Sequence, residues 1–377
     1  MTDRKRLVEI LTNKHALPSG WRETVADVDR SFFVPRRFTY GASETVDRAK
    51  NLERWSTLVY GDTVIVTQVN DGRTLPDEHE LPTSSTSMPS LMLEMLDLLD
   101  VEDTHTVLEV GTGTGYNAAW LAYRLGDSNV TTVEIDSSLA ARAEANLHAA
   151  GHHPTVLVGD GLAPDPDGPT KDRLICTCTV RDIPYAWIEK VPDGKIVTPF
   201  GNGFFSGSYA ALTVTKGVGR GRFHGDPAFM WARQQRPGRG YLQDYLHHRD
   251  ETETGVTTVS PLDVYHDADA RFAIASRISG MWPMLVSADD GSEEHTLWLL
   301  ADDARSWASI DYVPNADVYE VEQYGPRRFW TEVEAAYQWW DGVGRPSRDR
   351  FGITVDGAGQ RIWLDTPDNV PDEGDPR

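Results

Sequence analysis

Residues 106–116 read TVLEVGTGTGY, and the reading of this stretch decides the fold. A leucine- and β-branched run ends in glycines at alternate positions, Gly111, Gly113 and Gly115, followed by NAAWLAYRL, whose apolar residues recur at helical spacing. The pattern predicts a strand, a tight glycine turn and a helix. Without a Cβ such a turn can take positive φ and let a ligand approach the backbone, and the helix start presents unpaired N–H groups. A small charged cofactor is expected there. The dinucleotide fingerprint G-x-G-x-x-G would need its last glycine where Tyr116 stands, so a nicotinamide or flavin would lack its helix-packing glycine.

About twenty residues further on, VTTVEI closes on Glu134 and Ile135, with the acid placed to accept hydrogen bonds from ribose hydroxyls. A third strand, TVLVGDG, closes on Asp160 and Gly161. The ordered series resembles the class I methyltransferases that use S-adenosylmethionine and release S-adenosylhomocysteine. The resemblance implies a cofactor set of Glu109, Gly111, Thr112, Gly113, Gly115, Tyr116, Glu134, Ile135, Asp160 and Gly161, with Asp160 taking the adenine amino group. It also implies an α/β class I methyltransferase fold, a Rossmann-like sheet with helices on both faces.

The 377 residues suit two domains, one large and one smaller, and the 40% hydrophobic and 10% aromatic content is that of a globular chain. No apolar run reaches membrane-spanning length, and MTDRKRLVEI lacks the apolar core of a signal peptide, so a cytoplasmic protein is expected. The net charge of -22 argues against nucleic-acid and anionic-membrane partners. Cys176 and Cys178 alternate along a predicted strand, in neither a CxxC nor a ligand cluster, and reduced thiols are expected. Adjacent histidines, His152 with His153 and His247 with His248, point apart, and no metal site is readable.

Before the glycine turn, LVEILTNK predicts a helix and ETVADVDRSFFVPRRF a second helical segment stopping before Pro35. VYGDTVIVTQV predicts a strand or hairpin arm within a polar stretch. In LPTSSTSMPSLMLEMLDLLDV, hydroxyls precede Pro89 and an amphipathic helix, whose first turn they are expected to cap. RSFFVP at 30–35 and the order hydroxyl, hydroxyl, x, proline before the glycine turn are similar to elements of the protein-L-isoaspartate O-methyltransferases. By that resemblance Ser87 falls on the family's active-site serine and Thr86 on the apolar residue before it, while Ser84 and Ser85 replace a glutamine and a threonine. KDRLICTCTV and YAWIEKVPDGKIVTPFG continue the likeness as far as about Arg233. Arg181 stands where the family has a small-residue segment, and a guanidinium there could grip a carboxylate beside the transfer centre; pairing with Asp182 or Asp172 is the plainer alternative.

Arg220, Arg222, Arg233, Arg236 and Arg239 form a basic stretch that either steers an acidic peptide or is ordinary solvated loop charge. The division expected is 1–235 for the cofactor-binding catalytic domain (1–80 helices and insertion, 81–235 core), 236–366 for a C-terminal α+β substrate-recognition domain without counterpart in repair enzymes, and 367–377 for a disordered tail. VEAAYQWWDGVGRPSRDRFGITVDGAGQRIWLD within it predicts a helix, a linker and a hairpin closed by DGAGQ.

No base is evident near the motifs, which favours an acceptor already ionised, a carboxylate. The resemblance is strongest to C-terminally extended, actinobacterial-type members that act on ribosomally made peptides of the graspetide and lasso classes. That implies methylation of an aspartate, with closure to aspartimide, in a substrate peptide cyclised beforehand or not, by a monomeric enzyme with Ser87, Thr86 and Arg181 at the acceptor. Two alternatives stay open: a general isoaspartate repair methyltransferase, and a peptide-binding protein that retains only the shell.

Overall fold

The computed structural model describes residues 3–41, 43–74, 80–163, 168–238, 240–246 and 251–371. The expectations for Arg239, for His247 with His248 and for the end of the tail concern residues outside these.

The chain opens with α1 (Asp3–Asn13), α2 (Arg22–Asp27), a hairpin of β1 (Arg37–Tyr40) and β2 (Glu44–Asp47), α3 (Leu52–Val59), and a second hairpin of β3 (Ile65–Val69) and β4 (Pro82–Thr86). Helix α4 (Pro89–Leu99) leads into β5 (Val107–Val110), α5 (Tyr116–Leu125), β6 (Val130–Glu134), α6 (Ser137–Ala149), β7 (Thr155–Val158), β8 (Arg173–Cys176), α7 (Tyr185–Lys190) and β9 (Asp193–Gly201). Two long antiparallel strands follow, β10 (Ser206–Thr215) and β11 (Val218–His224). After them come β12 (Glu253–Thr257), α8 (Pro261–His266), α9 (Ala268–Ala275), β13 (Met281–Ser287), β14 (His295–Ala301), β15 (Trp307–Tyr312), β16 (Tyr319–Tyr324), α10 (Phe329–Gly342), β17 (Phe351–Asp356) and β18 (Gly359–Leu364).

The central sheet has nine strands in the order β18-β17-β11-β10-β9-β8-β5-β6-β7, parallel from β9 to β7 and antiparallel beyond β9. Every residue of β5 and β8 is buried, as expected for parallel strands covered on both faces. The expected α/β class I methyltransferase architecture is therefore present. A five-stranded antiparallel sheet, β12-β16-β15-β14-β13, forms the smaller unit. Among the described residues no helix is long and apolar enough to cross a membrane.

The expected boundary at 236–366 does not hold. The terminal hairpin forms as predicted, but β17 pairs with β11, so β17 and β18 complete the central sheet. One hydrophobic core also runs through both units. Phe272 on α9 lies 5.3 Å from Phe205, 4.7 Å from Phe223 and 5.2 Å from Phe351, which places the smaller unit's helix against three pieces of the central sheet. A separable recognition domain would have its own core.

The cap of α4 is a second correction. Met88 occupies the cap position and no hydroxyl side chain bonds there; instead Asp62 Oδ1, from the loop after α3, accepts from the Ser90 N–H at 2.9 Å. Pro89 at the first position needs no partner for a missing N–H, so the remote carboxylate serves the next donor.

Candidate active site

The C-terminal ends of β5, β6 and β8 meet where strand order reverses between β5 and β8, the place where open α/β sheets bind ligands. A cleft of about 250 Å³ lies there. Of the residues expected to hold a cofactor, Gly111, Thr112, Gly113, Tyr116, Glu134, Ile135, Asp160 and Gly161 line it, and Ser87 lines it with Ser84 and Ser85.

The turn glycines have φ of 93°, 56° and 87°, all in the left-handed region, but each serves a different neighbour. A Cβ on Gly111 would stand 2.8 Å from both Cys178 Sγ and Thr177 Oγ1, and one on Gly115 would stand 3.1 Å from Leu147 of α6. At Gly113 the nearest atoms to such a Cβ, Ser85 O and Ser84 Oγ, are 3.5 and 3.7 Å away, so that position is in ordinary contact with the strand β4 across the cleft. Gly115 therefore packs the turn against α6, as Gly161 packs against Val110, and neither contact needs a ligand.

Glu134 is almost wholly buried and takes the Gly113 N–H at 2.9 Å and the Asp136 N–H at 3.1 Å. Burial raises its pKa, partly offset by these two N–H donors. The acid is thus preset at the end of β6, with one oxygen on the glycine turn and the other on the start of the next loop. Asp160 Oδ1 accepts from the Leu162 N–H at 2.9 Å, which fixes the acid in a turn at the rim.

Glu109 is placed differently from the expectation that it binds cofactor directly. It does not line the cleft but lies beneath the turn, taking Asn117 Nδ2 at 2.7 Å and the Thr132 hydroxyl at 2.6 Å, and Thr132 meets the Thr112 hydroxyl at 2.6 Å. The motif spacing locates its Cα and not the side of the sheet its carboxyl takes. Burial, opposed by the Thr132 and Asn117 hydrogen bonds and reinforced by Glu134, pushes this carboxyl from the ordinary 4.5 up to about 7. The folded chain therefore keeps a proton that the unfolded chain has released. The stability this gives is full below the unfolded value and is lost as pH rises through about 7, on the order of 3 kcal/mol in all. In Glu109→Gln, which mimics the protonated acid, melting temperature is expected to lose this component of its pH dependence. A wild-type-minus-variant difference that stays flat from about pH 5 to 8 would show that Glu109 is ionised throughout.

Thr86, expected at the acceptor, is buried; its hydroxyl donates to Phe33 O at 2.7 Å and lies 3.3 Å from Thr114 Oγ1. It ties β4 to the N-terminal segment instead of facing the cleft. Arg181 is also outside the cleft. Its Nε bonds Asp182 Oδ2 at 2.8 Å at an exposed site, the plainer of the two readings, because the adjacent carboxylate is the nearest partner available. The backbone of 181–183 is clamped by two amides: Gln235 Oε1 takes the N–H groups of Arg181 and Asp182, and Gln360 bonds Ile183 N–H and Arg181 O.

Two parts of the site escaped the sequence reading. Arg30, noticed only within RSFFVP, is buried with its guanidinium donating to Val59 O, Gly61 O, Thr63 O, Thr86 O and Ser87 O at 2.7–3.3 Å. Burial lowers its pKa to about 10, offset in part by Tyr116 and Asp62. The second is the segment 228–236, which walls the cleft. There Arg236 grips Asp71 with two bonds of 3.0 Å, and Arg233 lies 3.2 Å from Asp71 and 3.3 Å from Asp136. Arg222 bonds the carbonyls of Arg350 and Asp365 and stacks 4.5 Å over Trp363. Arg222, Arg233 and Arg236 are therefore internal ties, and of the described arginines of the basic stretch Arg220 is exposed. A repeating charge in sequence carries no sign of which acids fold against it.

Residues 2–210 match the family described as protein-L-isoaspartate(D-aspartate) O-methyltransferase. A protein-L-isoaspartate O-methyltransferase of Korarchaeum cryptofilum is 31% identical over 57% of this chain and 89% of its own length. One from Methanopyrus kandleri is 37% identical over 38% of this chain, which spans just under two thirds, 66%, of that relative. A solved structure titled protein-L-isoaspartate O-methyltransferase aligns with a TM-score of 0.53 and 18% identity over 96% of this chain and 100% of its own. The alignment extends past residue 236.

Proposed function

The chain belongs to the protein-L-isoaspartate(D-aspartate) O-methyltransferase family, and from that premise we propose that it transfers a methyl group from S-adenosylmethionine to an aspartyl-type carboxylate of a peptide or protein. The observation that carries this reading is the joining of two halves in one cleft: a glycine turn with a preset acid on one side, and the hydroxyl-rich strand β4 with Ser87 directly after it on the other. The residues fit the cofactor. The side-chain-free turn of Gly111 and Gly113 lining the cleft, the carboxylate of Glu134 for ribose hydroxyls and Asp160 with Gly161 for the adenine edge supply a cradle and acceptors of the right kind. Bound there, the cofactor supplies a methyl on a sulfonium; its S–CH3 bond breaks as an O–CH3 ester bond forms, and a neutral thioether leaves.

The chain's own contribution is placement. The described cleft lining holds neither histidine nor lysine, which suits an acceptor that is already anionic and needs no proton removed. Ser87 offers a hydroxyl to align that carboxylate. Ser87→Ala is expected to lower kcat/KM about ten- to hundredfold with cofactor affinity unchanged, the worth of one hydrogen bond to a charged group. Unaltered turnover would remove Ser87 from the acceptor.

The finer proposal is that the acceptor is an ordinary aspartate of a ribosomally made peptide. Its ester would lose methanol as the next backbone nitrogen closes the five-membered aspartimide ring. The replacement of the family's glutamine and threonine by Ser84 and Ser85, both at the cleft, supports a changed acceptor. The names of the relatives favour repair of isoaspartyl protein instead. Mass spectrometry after incubation with S-adenosylmethionine separates the two. A gain of one methyl and then net loss of water on a cyclised aspartate peptide alone supports maturation; methylation of a generic isoaspartyl peptide alone returns the enzyme to repair.

A further inference from the structure

The cleft has a wall on its acceptor side that no motif announced. After β11 the backbone runs beside residues 179–180 as an added strand: the Thr179 N–H donates to Met230 O at 2.8 Å, the Ala232 N–H to Thr179 O at 2.9 Å and the Thr179 hydroxyl to Phe229 O at 3.0 Å. Phe229 lies edge-on to Tyr209 at 6.3 Å, and the Tyr209 hydroxyl donates to Leu91 O at 3.1 Å. That contact chain sets the segment opposite the first turn of α4, directly after Ser87. Phe229, Met230 and Trp231 are all partly exposed at the cleft, and they face Val64, Met88 and Leu91, also partly or fully exposed.

We propose that this wall is the specificity surface of the acceptor site, with Phe229, Met230 and Trp231 reading the residue next to the methylated aspartate and selecting a large apolar or aromatic one. The inference rests on the carboxyl-methyltransferase reading above. The cations of the described cleft lining are Arg233 and Arg236, and both are held by Asp71 or Asp136. An acidic flank would find no unpaired cation there and would approach a protein of net charge -22. A charged flank of either sign would also lose water against apolar side chains.

The wall is preorganised, which is what turns an apolar surface into a selective one. Beyond its bonds to Thr179, it is tied by the Gln235 amide clamp and by the Arg233 and Arg236 ion pairs. Farther along, Tyr245 packs with Trp282, Trp298 and Trp307 on the five-stranded sheet, and its hydroxyl donates to Ala301 O at 2.7 Å. The chain that leaves the wall is thus seated on the smaller unit at Tyr245.

The test uses the full chain and a peptide set differing only in the residue after the acceptor: phenylalanine, glycine, lysine or aspartate. Methylation rates are read by mass spectrometry, and peptide affinity by calorimetry in the presence of S-adenosylhomocysteine. The phenylalanine peptide is expected to exceed the aspartate peptide about tenfold or more in both readouts, and Trp231→Ala and Phe229→Ala to cut that ratio to within about threefold. Heat of cofactor binding and melting temperature serve as the check that the variants are folded. Equal rates and affinities across the set, or a preference undiminished in both variants, overturn the proposal. Aromatic-flank binding that depends on Trp231, without methylation of any peptide, would sink the methyl-transfer reading and leave the wall standing; neither binding nor methylation sinks both.

Discussion

Alanine at Gly111 is expected to abolish detectable S-adenosylmethionine binding, while alanine at Gly126 is expected to leave it intact. Both glycines have positive φ, 93° and 86°, so both substitutions strain the backbone. They differ in surroundings. A Cβ at Gly126 meets nothing within 4 Å, whereas at Gly111 it would press on Cys178 Sγ and Thr177 Oγ1 at 2.8 Å. Those neighbours belong to the segment after β8, whose Thr177 hydroxyl holds Gly111 O at 2.6 Å. Relief of the clash must therefore push the turn into the cleft and withdraw the Gly113 N–H from Glu134. Calorimetry on the two variants, with melting curves to match their strain, makes the comparison; normal binding by Gly111→Ala would show that the turn is not the cradle.

Loss of the Arg30 guanidinium is the other large effect expected. The five carbonyls it serves come from two segments, 59–63 and 86–87, which it joins. Arg30→Met would leave buried acceptors without donors, at about 1–3 kcal/mol each, and is expected to destabilise the fold by more than about 4 kcal/mol in denaturant titration. Arg30→Lys keeps the charge but replaces a planar five-donor fork with a point charge on a flexible stem. It is expected to fold, to bind cofactor and to lose about a hundredfold in kcat through misplacement of Ser87. Wild-type turnover in the lysine variant would mean that the 86–87 backbone holds its shape unaided.

What was legible in the sequence was whatever local periodicity encodes. The β5 run, its glycines, the α5 stripe and the acids closing β6 and following β7 all write their geometry within a few residues, and the cleft formed where they predicted. Even the hairpin at 351–364 was visible from its alternation. Partners distant in the chain were not. The Arg30 side chain reaches residues 56 and 57 positions away, Arg236 finds Asp71 across 165, and Asp62 caps a helix from 28 positions upstream. Arg181 shows the converse: an attractive isolated cation was taken by the acid next to it. Glu109 kept its place in the motif but not its expected role, because spacing does not say whether a carboxyl turns toward ligand or toward Asn117.

The return of β17 to β11 has a consequence for how the protein is made. Roughly 130 residues separate the two strands, so at about 5–20 residues per second a ribosome needs on the order of ten seconds to deliver the strand that closes the sheet. Throughout that interval the outer edge of β11 is an unpaired template for another nascent chain. It carries Arg220 and Arg222 on either side of Gly221, the kind of charged edge that discourages such pairing. The arginine that later grips Arg350 and Asp365 has by then already served as a gatekeeper during synthesis.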